Sequence, residues 1–325
     1  MYLWNGSIPE LPHEGSRYTP VLAAETKDVW TRTHDLEDLM QLVNPEGGYV
    51  QNCNSPPYLT NLNAPLNRED FPTYFPDNDL SLRAQKGVDI VHNNRRFSLE
   101  EMVDEKYSNQ LFLADRVKPD LLRLLDAADL SDDEKGAVDM LRAWDNTASA
   151  ESVGSVLFKV WWEHYRKGEN SFAEVWSEDK PVTTPQGIGA PERAVTAFHV
   201  ALKETVERWA SWDVKWGDVH RLRRGDLDLP IGGASWRLGC FRVMHYEEAD
   251  DGKLIANGGD GFVFAVEFDD TPKAYSVLAY SQSDRPESKH YNDQAALFVN
   301  HKMKPTAFTE EAIESSLIRA YHPGQ

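Results

Sequence analysis

Between residues 98 and 212 apolar side chains recur every three or four positions, and on either side of that block they do not. "SLEEMVDEKYSNQLFLADRVKPDLLRLLDAA" carries Met102, Tyr107, Leu111, Leu113, Val117, Leu121 and Leu124 at helical spacing. It opens with Ser98 and Glu101 in capping-box register, and "SDDEKGAVDMLRAWD" repeats the device with Ser131 and Glu134. Pro119 is expected to kink or divide the first of these helices. Two further amphipathic runs, "ESVGSVLFKVWWEHYRKG" and "PERAVTAFHVALKETVERWASW", complete a mainly helical block. From residue 213 the period falls to two in "LGCFRVMHYEE", "GDGFVFAVEF" and "AYSVLAYSQS", before a short C-terminal helix capped by Thr309. Residues 1–97 are dense in Pro, Asn, Gly and aromatics and read as strands with long connections, "GGYVQN" being one strand-like piece. Strands, helices and strands in blocks point to a mixed sheet packed with helices, an α+β class without regular βαβ winding.

With 325 residues, 41% of them hydrophobic, the chain is long enough for a sizeable core. Its formal net charge of -19 repels a nucleic-acid backbone or an anionic membrane, so the expected partners are small molecules or polypeptides. No apolar run is long enough for a membrane span, and Met1 is not followed by a secretion signal. The two cysteines, Cys53 and Cys240, have no metal-site spacing; they read as packed thiols or as one long-range disulfide.

The densest polar motif is "GGYVQNCNSPP", residues 47–57. An asparagine amide can donate to a developing oxyanion without changing charge, and on a strand Asn52 and Asn54 would share one face, with Pro56 and Pro57 stiffening the exit. The same residues also make an ordinary turn before proline. Arg83, in "DLSLRAQKGVDIV", reads either as a helix-surface arginine or as a group that orients a carbonyl or the asparagine. In "VKWGDVHRLRRGDLDLP" the arginines around His220 are nearly neutralised by Asp218, Asp226 and Asp228, which suits a salt-bridged loop. His290, Asn292 and Asp293 read as hydrogen-bonded turn residues, and "NGGDGF" lacks the helix and Lys-Ser/Thr pair of a phosphate loop. No Gly-x-Ser-x-Gly elbow occurs, so the residues alone yield an oxyanion donor with no nucleophile to serve.

Seven pieces taken in order, from "YLWNGSIPELP" through "DVWTRTHDLEDLMQLVNPEGGYVQNCNSPP", "SLRAQKGVDIV", "WGDVHRLRRGDLDLPIGG", "GGDGFVFAVEF" and "LAYSQSDRPESKHYNDQAALFVNHKMKP" to "FTEEAIESSLIRAYHPG", resemble the penicillin acylase family of N-terminal-nucleophile hydrolases. The resemblance is to its branch of acyl-homoserine lactone and lipopeptide (aculeacin-like) acylases and runs over nearly the whole chain. It implies an αββα sandwich, present here as an incomplete C-terminal part of the large subunit, so that residues 1–325 form a single partial domain with blocks 1–97, 98–212 and 213–325. Members are made as zymogens that cleave themselves to free a serine at the start of the large subunit. That serine, with its own α-amine as base, attacks an amide carbonyl to form an acyl-enzyme.

The resemblance implies catalytic roles for Asn54, as oxyanion donor with Asn52 the alternative, and for Arg83. In the penicillin G branch a calcium ion takes a carbonyl near the position of Pro9, which leaves Pro9 as a candidate carbonyl ligand and calcium as an open alternative to the expectation of no cofactor. Ser7 and Ser16 follow no processing site, so the nucleophile is expected outside this chain, and the chain alone is expected to be inactive. Its expected partners are the small subunit, the N-terminal part of the large subunit and a small N-acylated substrate. The expected location is the periplasm or outside the cell. β-Lactam acylase activity, and a truncated homologue that binds acyl ligands or a partner, are the alternatives.

Overall fold

The computed structural model describes residues 8–11, 22, 24–92, 95–322 and 324. They fall into two compact units, Met1–Arg95 with Glu174–Gln186, and Arg96–Ala173 with Gly187–Gln325. The boundaries cut across the blocks of the sequence pattern, because 174–186 leaves the helical block to join the first unit.

Among the described residues of the first unit there is one α-helix, α1 (Leu82–Val91), four short 3-10 turns and two isolated bridges, Pro9 with Thr33 and Glu174 with Gln186. The strands expected over 1–97 are absent there. Gly47 and Gly48 take positive φ of 83° and 68°, closing a turn ahead of "YVQN", and that stretch finds no ladder partner. Leu59, Leu80, Ala84 and Val88 form a small core, against which Cys53, Leu62, Trp176 and Val182 pack.

The second unit holds α2 (Leu99–Lys106), α3 (Phe112–Asp126), α4 (Asp132–Ala143), α5 (Ser155–Tyr165), α6 (Pro191–Trp209) and the single turn α7 (Trp216–Val219). Both capping boxes form, Ser98 with Glu101 and Ser131 with Glu134. Pro119 does not divide its helix: α3 runs through it, and the break falls at Tyr107–Leu111 instead. The proline forfeits one backbone hydrogen bond. Five side chains that α3 buries completely or nearly so, Leu113, Ala114, Val117, Leu121 and Leu125, hold the helix together across it.

The strands make two sheets where the pattern suggested one. β1 (His220–Arg224), β2 (Leu227–Pro230), β3 (Met244–Glu248) and β4 (Leu254–Gly259) pair in the order β2-β1-β4-β3, with β1 and β4 parallel and the rest antiparallel. β5 (Phe262–Glu267), β6 (Lys273–Leu278) and β7 (Lys304–Pro305) form an antiparallel sheet in chain order. Leu222, Met244 and Ala256 of the first sheet and Val263 and Val277 of the second share one core with Phe298 of α8 (Ala295–Val299). Thr309 caps α9 (Glu310–Ser316). The fold class is mixed α+β, and no described helix is long and apolar enough to cross a membrane.

Candidate active site

The Asn-Cys-Asn stretch is a turn, and each residue in it has a separate task. Asn52 folds over the backbone: its Oδ1 accepts from the Asn54 amide at 2.7 Å, and its Nδ2 donates to the Ser55 carbonyl at 2.9 Å. Cys53 packs against the small core and fixes the turn from beneath. Asn54 takes the left-handed backbone conformation, φ 65°, which asparagine tolerates better than most residues.

Arg83 meets this turn from the first turn of α1. Ser81 caps that helix, its hydroxyl accepting from the Ala84 amide, and Gln85 locks the same turn by donating to the carbonyls of Leu80 and Thr184 at 2.9 and 2.7 Å. The Arg83 Nη2 donates to the Cys53 carbonyl and to Asn54 Oδ1, the latter at 2.5 Å. A guanidinium only donates, so the Asn54 amide has one orientation: Oδ1 faces Arg83, and the two Nδ2 hydrogens face away from it. The Arg83 Nε is buried with no hydrogen-bond partner among the described residues.

The structure thus brings together Asn54 and Arg83, while Asn52 gives its Oδ1 and one of its two Nδ2 hydrogens to the turn itself. Asn52 also borders an open apolar cavity of about 460 Å³, with Leu39, Met40, Leu42, Leu66 and Phe75 among its walls. Ser7 and Ser16 lie outside the described residues. Beside Pro9, Glu10 is paired with Arg32, and among the described residues no group of three or more His, Cys, Asp and Glu side chains is placed to hold a metal ion.

The other motifs resolve into structure. Arg221 and Arg223 share Asp228 across the β1–β2 hairpin, and Arg223 also reaches Asp251. His290 bonds Asp293 within a turn, at 2.8 Å. Neither cysteine is in a disulfide, and burial pushes the Cys240 thiol up to about 12, far from a thiolate nucleophile. His220 is fully buried, its ring stacked 3.5 Å from that of Trp216, with Nδ1 donating to the Trp216 carbonyl. Desolvation, then the charge of Lys159, holds its pKa well below the usual histidine range. The supporting roles of Ser81 and Gln85 were missed in the sequence; the signal for Ser81 was a hydroxyl residue just before an apolar-periodic run.

Comparison with known proteins places the chain in a family. A family model described as penicillin amidase matches residues 1–315. The acyl-homoserine lactone acylase PvdQ of Pseudomonas syringae pv. tomato is 30% identical over 282 residues, 82% of this chain and 36% of that protein. The aculeacin-A acylase of Actinoplanes utahensis is 27% identical over 300 residues, 85% of this chain and 37% of that one. A thermostable penicillin G acylase from Alcaligenes faecalis aligns in structure with a TM-score of 0.49 at 18% identity, over 90% of this chain and 60% of the other. The chain therefore spans little more than a third of the length of these curated relatives. By the family match over residues 1–315, the chain belongs to the penicillin amidase family.

Proposed function

We propose that these 325 residues are the C-terminal part of the large subunit of an N-terminal-nucleophile acylase, which hydrolyses an N-acyl amide and removes a fatty acyl chain from a small amine such as a homoserine lactone or a lipopeptide. The observation that carries the reading is the fixed Asn54 amide, held by Arg83 on one side with its N–H donors free to face a reacting carbonyl.

In this scheme the nucleophilic serine belongs to polypeptide outside the chain. Its hydroxyl adds to the amide carbonyl while its α-amine takes the proton, and the carbonyl oxygen becomes an oxyanion that accepts from Asn54 Nδ2. The C–N bond then breaks, the proton passes to the leaving amine, and water hydrolyses the resulting ester to free acid. Donors fixed before reaction do not reorganise as the charge develops, which is why a rigid asparagine suits the task. The apolar cavity beside Asn52 offers a dry wall for hydrocarbon. No cofactor enters the scheme, and the proposed site of action is the periplasm or the exterior of the cell.

The test uses the acylase isolated from its source cells, assayed for release of acid from N-acyl-homoserine lactones of different chain length. Asn54→Asp keeps the side chain's shape and its acceptor toward Arg83 but removes the donor, so kcat should fall by about 10²–10³. The isolated 325 residues should release no acid. Full activity of the Asn54→Asp enzyme would remove Asn54 from the mechanism, and turnover by the isolated chain would place a nucleophile within it.

A further inference from the structure

A cleft built wholly from the second unit gathers charge of the sign that the chain otherwise has least of. It encloses about 220 Å³ between the end of α5, the 3-10 turn Trp236–Leu238 and the strands β3 and β4. The chain has 53 acidic and 34 basic side chains, yet the cleft sets Lys159, Arg166 and Arg237 against Glu163 alone. Lys159 and Glu163 pair one helical turn apart, at 2.8 Å, and cancel. Arg166, just past the end of α5, and Arg237 have no carboxylate partner among the described residues. Two like charges brought to one cleft, in a molecule with acid to spare, create a local field that attracts an anion.

The remaining walls are aromatic. Trp162 and Trp216 are buried, and Tyr246 is partly so; the Tyr246 hydroxyl is spent on the Gly233 carbonyl at 2.9 Å, so the cleft meets its ring. Arg237 lies over the Trp236 ring, 5.1 Å from the centroid, which covers one face of the guanidinium and leaves its N–H edge to bind. Ser235 Oγ accepts from the Arg237 amide at 3.3 Å, and its own O–H remains to donate. The volume is below the roughly 300–1,000 Å³ of sites for drug-sized ligands, so neither a nucleotide nor a long acyl chain fits. An inorganic anion would leave the aromatic walls uncovered.

We infer that this cleft binds a small aromatic carboxylate, its ring against Trp162 and Tyr246 and its carboxylate between Arg166 and Arg237. The inference goes beyond the acylase reading and does not rest on it, since the cleft shares no residue with the Asn54 turn. Each guanidinium offers the planar fork of donors that a carboxylate accepts, and the low polarity of the floor strengthens those bonds.

Titration calorimetry with benzoate, on the protein isolated from its source cells, tests this. Benzoate should bind saturably at one site, with an affinity that falls as sodium chloride is added. Arg166→Gln and Arg237→Gln should each weaken it by about tenfold or more, the loss of one charge-assisted hydrogen bond. Both arginines are exposed and neither gives up an ion pair, so the thermal midpoints without benzoate should stay unchanged. Arg223→Gln, at an arginine already paired with Asp228 and Asp251, should leave the affinity as it was. Benzyl alcohol, which keeps the ring without the charge, and inorganic phosphate, which keeps charge without the ring, should each bind at least about tenfold more weakly than benzoate. Absence of saturable binding, or benzyl alcohol or phosphate binding as tightly as benzoate, would overturn the inference. Undiminished affinity in the Arg166→Gln/Arg237→Gln double variant would place benzoate elsewhere and overturn it as well.

Discussion

Arg83 gives a single nitrogen to two acceptors, one on the backbone and one on the side chain it orients, so its removal loosens the turn and the Asn54 amide together. A charge-assisted hydrogen bond contributes about 1.5–3 kcal/mol, which corresponds to roughly tenfold to a hundredfold in rate. Arg83→Ala in the assembled enzyme should lower kcat by about that factor and leave KM nearly unchanged, with Arg83→Lys recovering part of the loss; steady-state kinetics separates this from a substrate contact, which would raise KM. The spacing of the sequence left Asn54 open between turn residue and oxyanion donor, and the structure makes it a turn residue whose amide is aimed. The residues alone offered Arg83 both as a helix-surface arginine and as a group that orients the asparagine, and nothing local chose between the two. Arg83 is 29 positions away, and no local period or propensity connects a turn to a helix start across that distance.

At the scale of elements, legibility followed locality. Both capping boxes, the Thr309 cap and the helical period of 98–212 are short-range features, and all are present. Strand assignments depend on partners elsewhere in the chain, and "GGYVQN", which has apolar and aromatic residues but no ladder, shows how that fails. Pro119 shows the opposite error, where a local rule yields to packing. The face of α3 that carries Leu121 is buried to 0% exposure, and that burial outweighs one lost hydrogen bond. Leu121→Ala should therefore destabilise the second unit by about 2–5 kcal/mol, read as a shift in urea midpoint at constant slope. A change much smaller than this would mean that α3 is not what holds the helical layer.

For the molecule as a whole, acid is the informative stress. His220 is neutral in the fold and titrates near 6.5 when unfolded, so below that pH the unfolded chain binds a proton that the folded chain refuses. Stability contributed by the neutral ring is present above about 6.5 and declines as pH falls toward the depressed folded value. Urea midpoints between pH 7 and pH 5 should fall, and His220→Gln should flatten the slope; an equal slope in the variant would assign the acid sensitivity to other groups. Where the chain doubles back was not legible in any period of the sequence. Residues 174 and 186 clasp each other through two backbone hydrogen bonds of 3.0 and 2.9 Å, and between them Trp176 and Val182 fill the small core while Thr184 receives Gln85. The ribosome thus completes residues 1–95 long before it makes the piece that closes over them. During synthesis the small core beneath the Asn54 turn, and the Gln85 bond to Thr184, wait for about ninety residues beyond 95 to emerge, after all of α2 to α5 has been made.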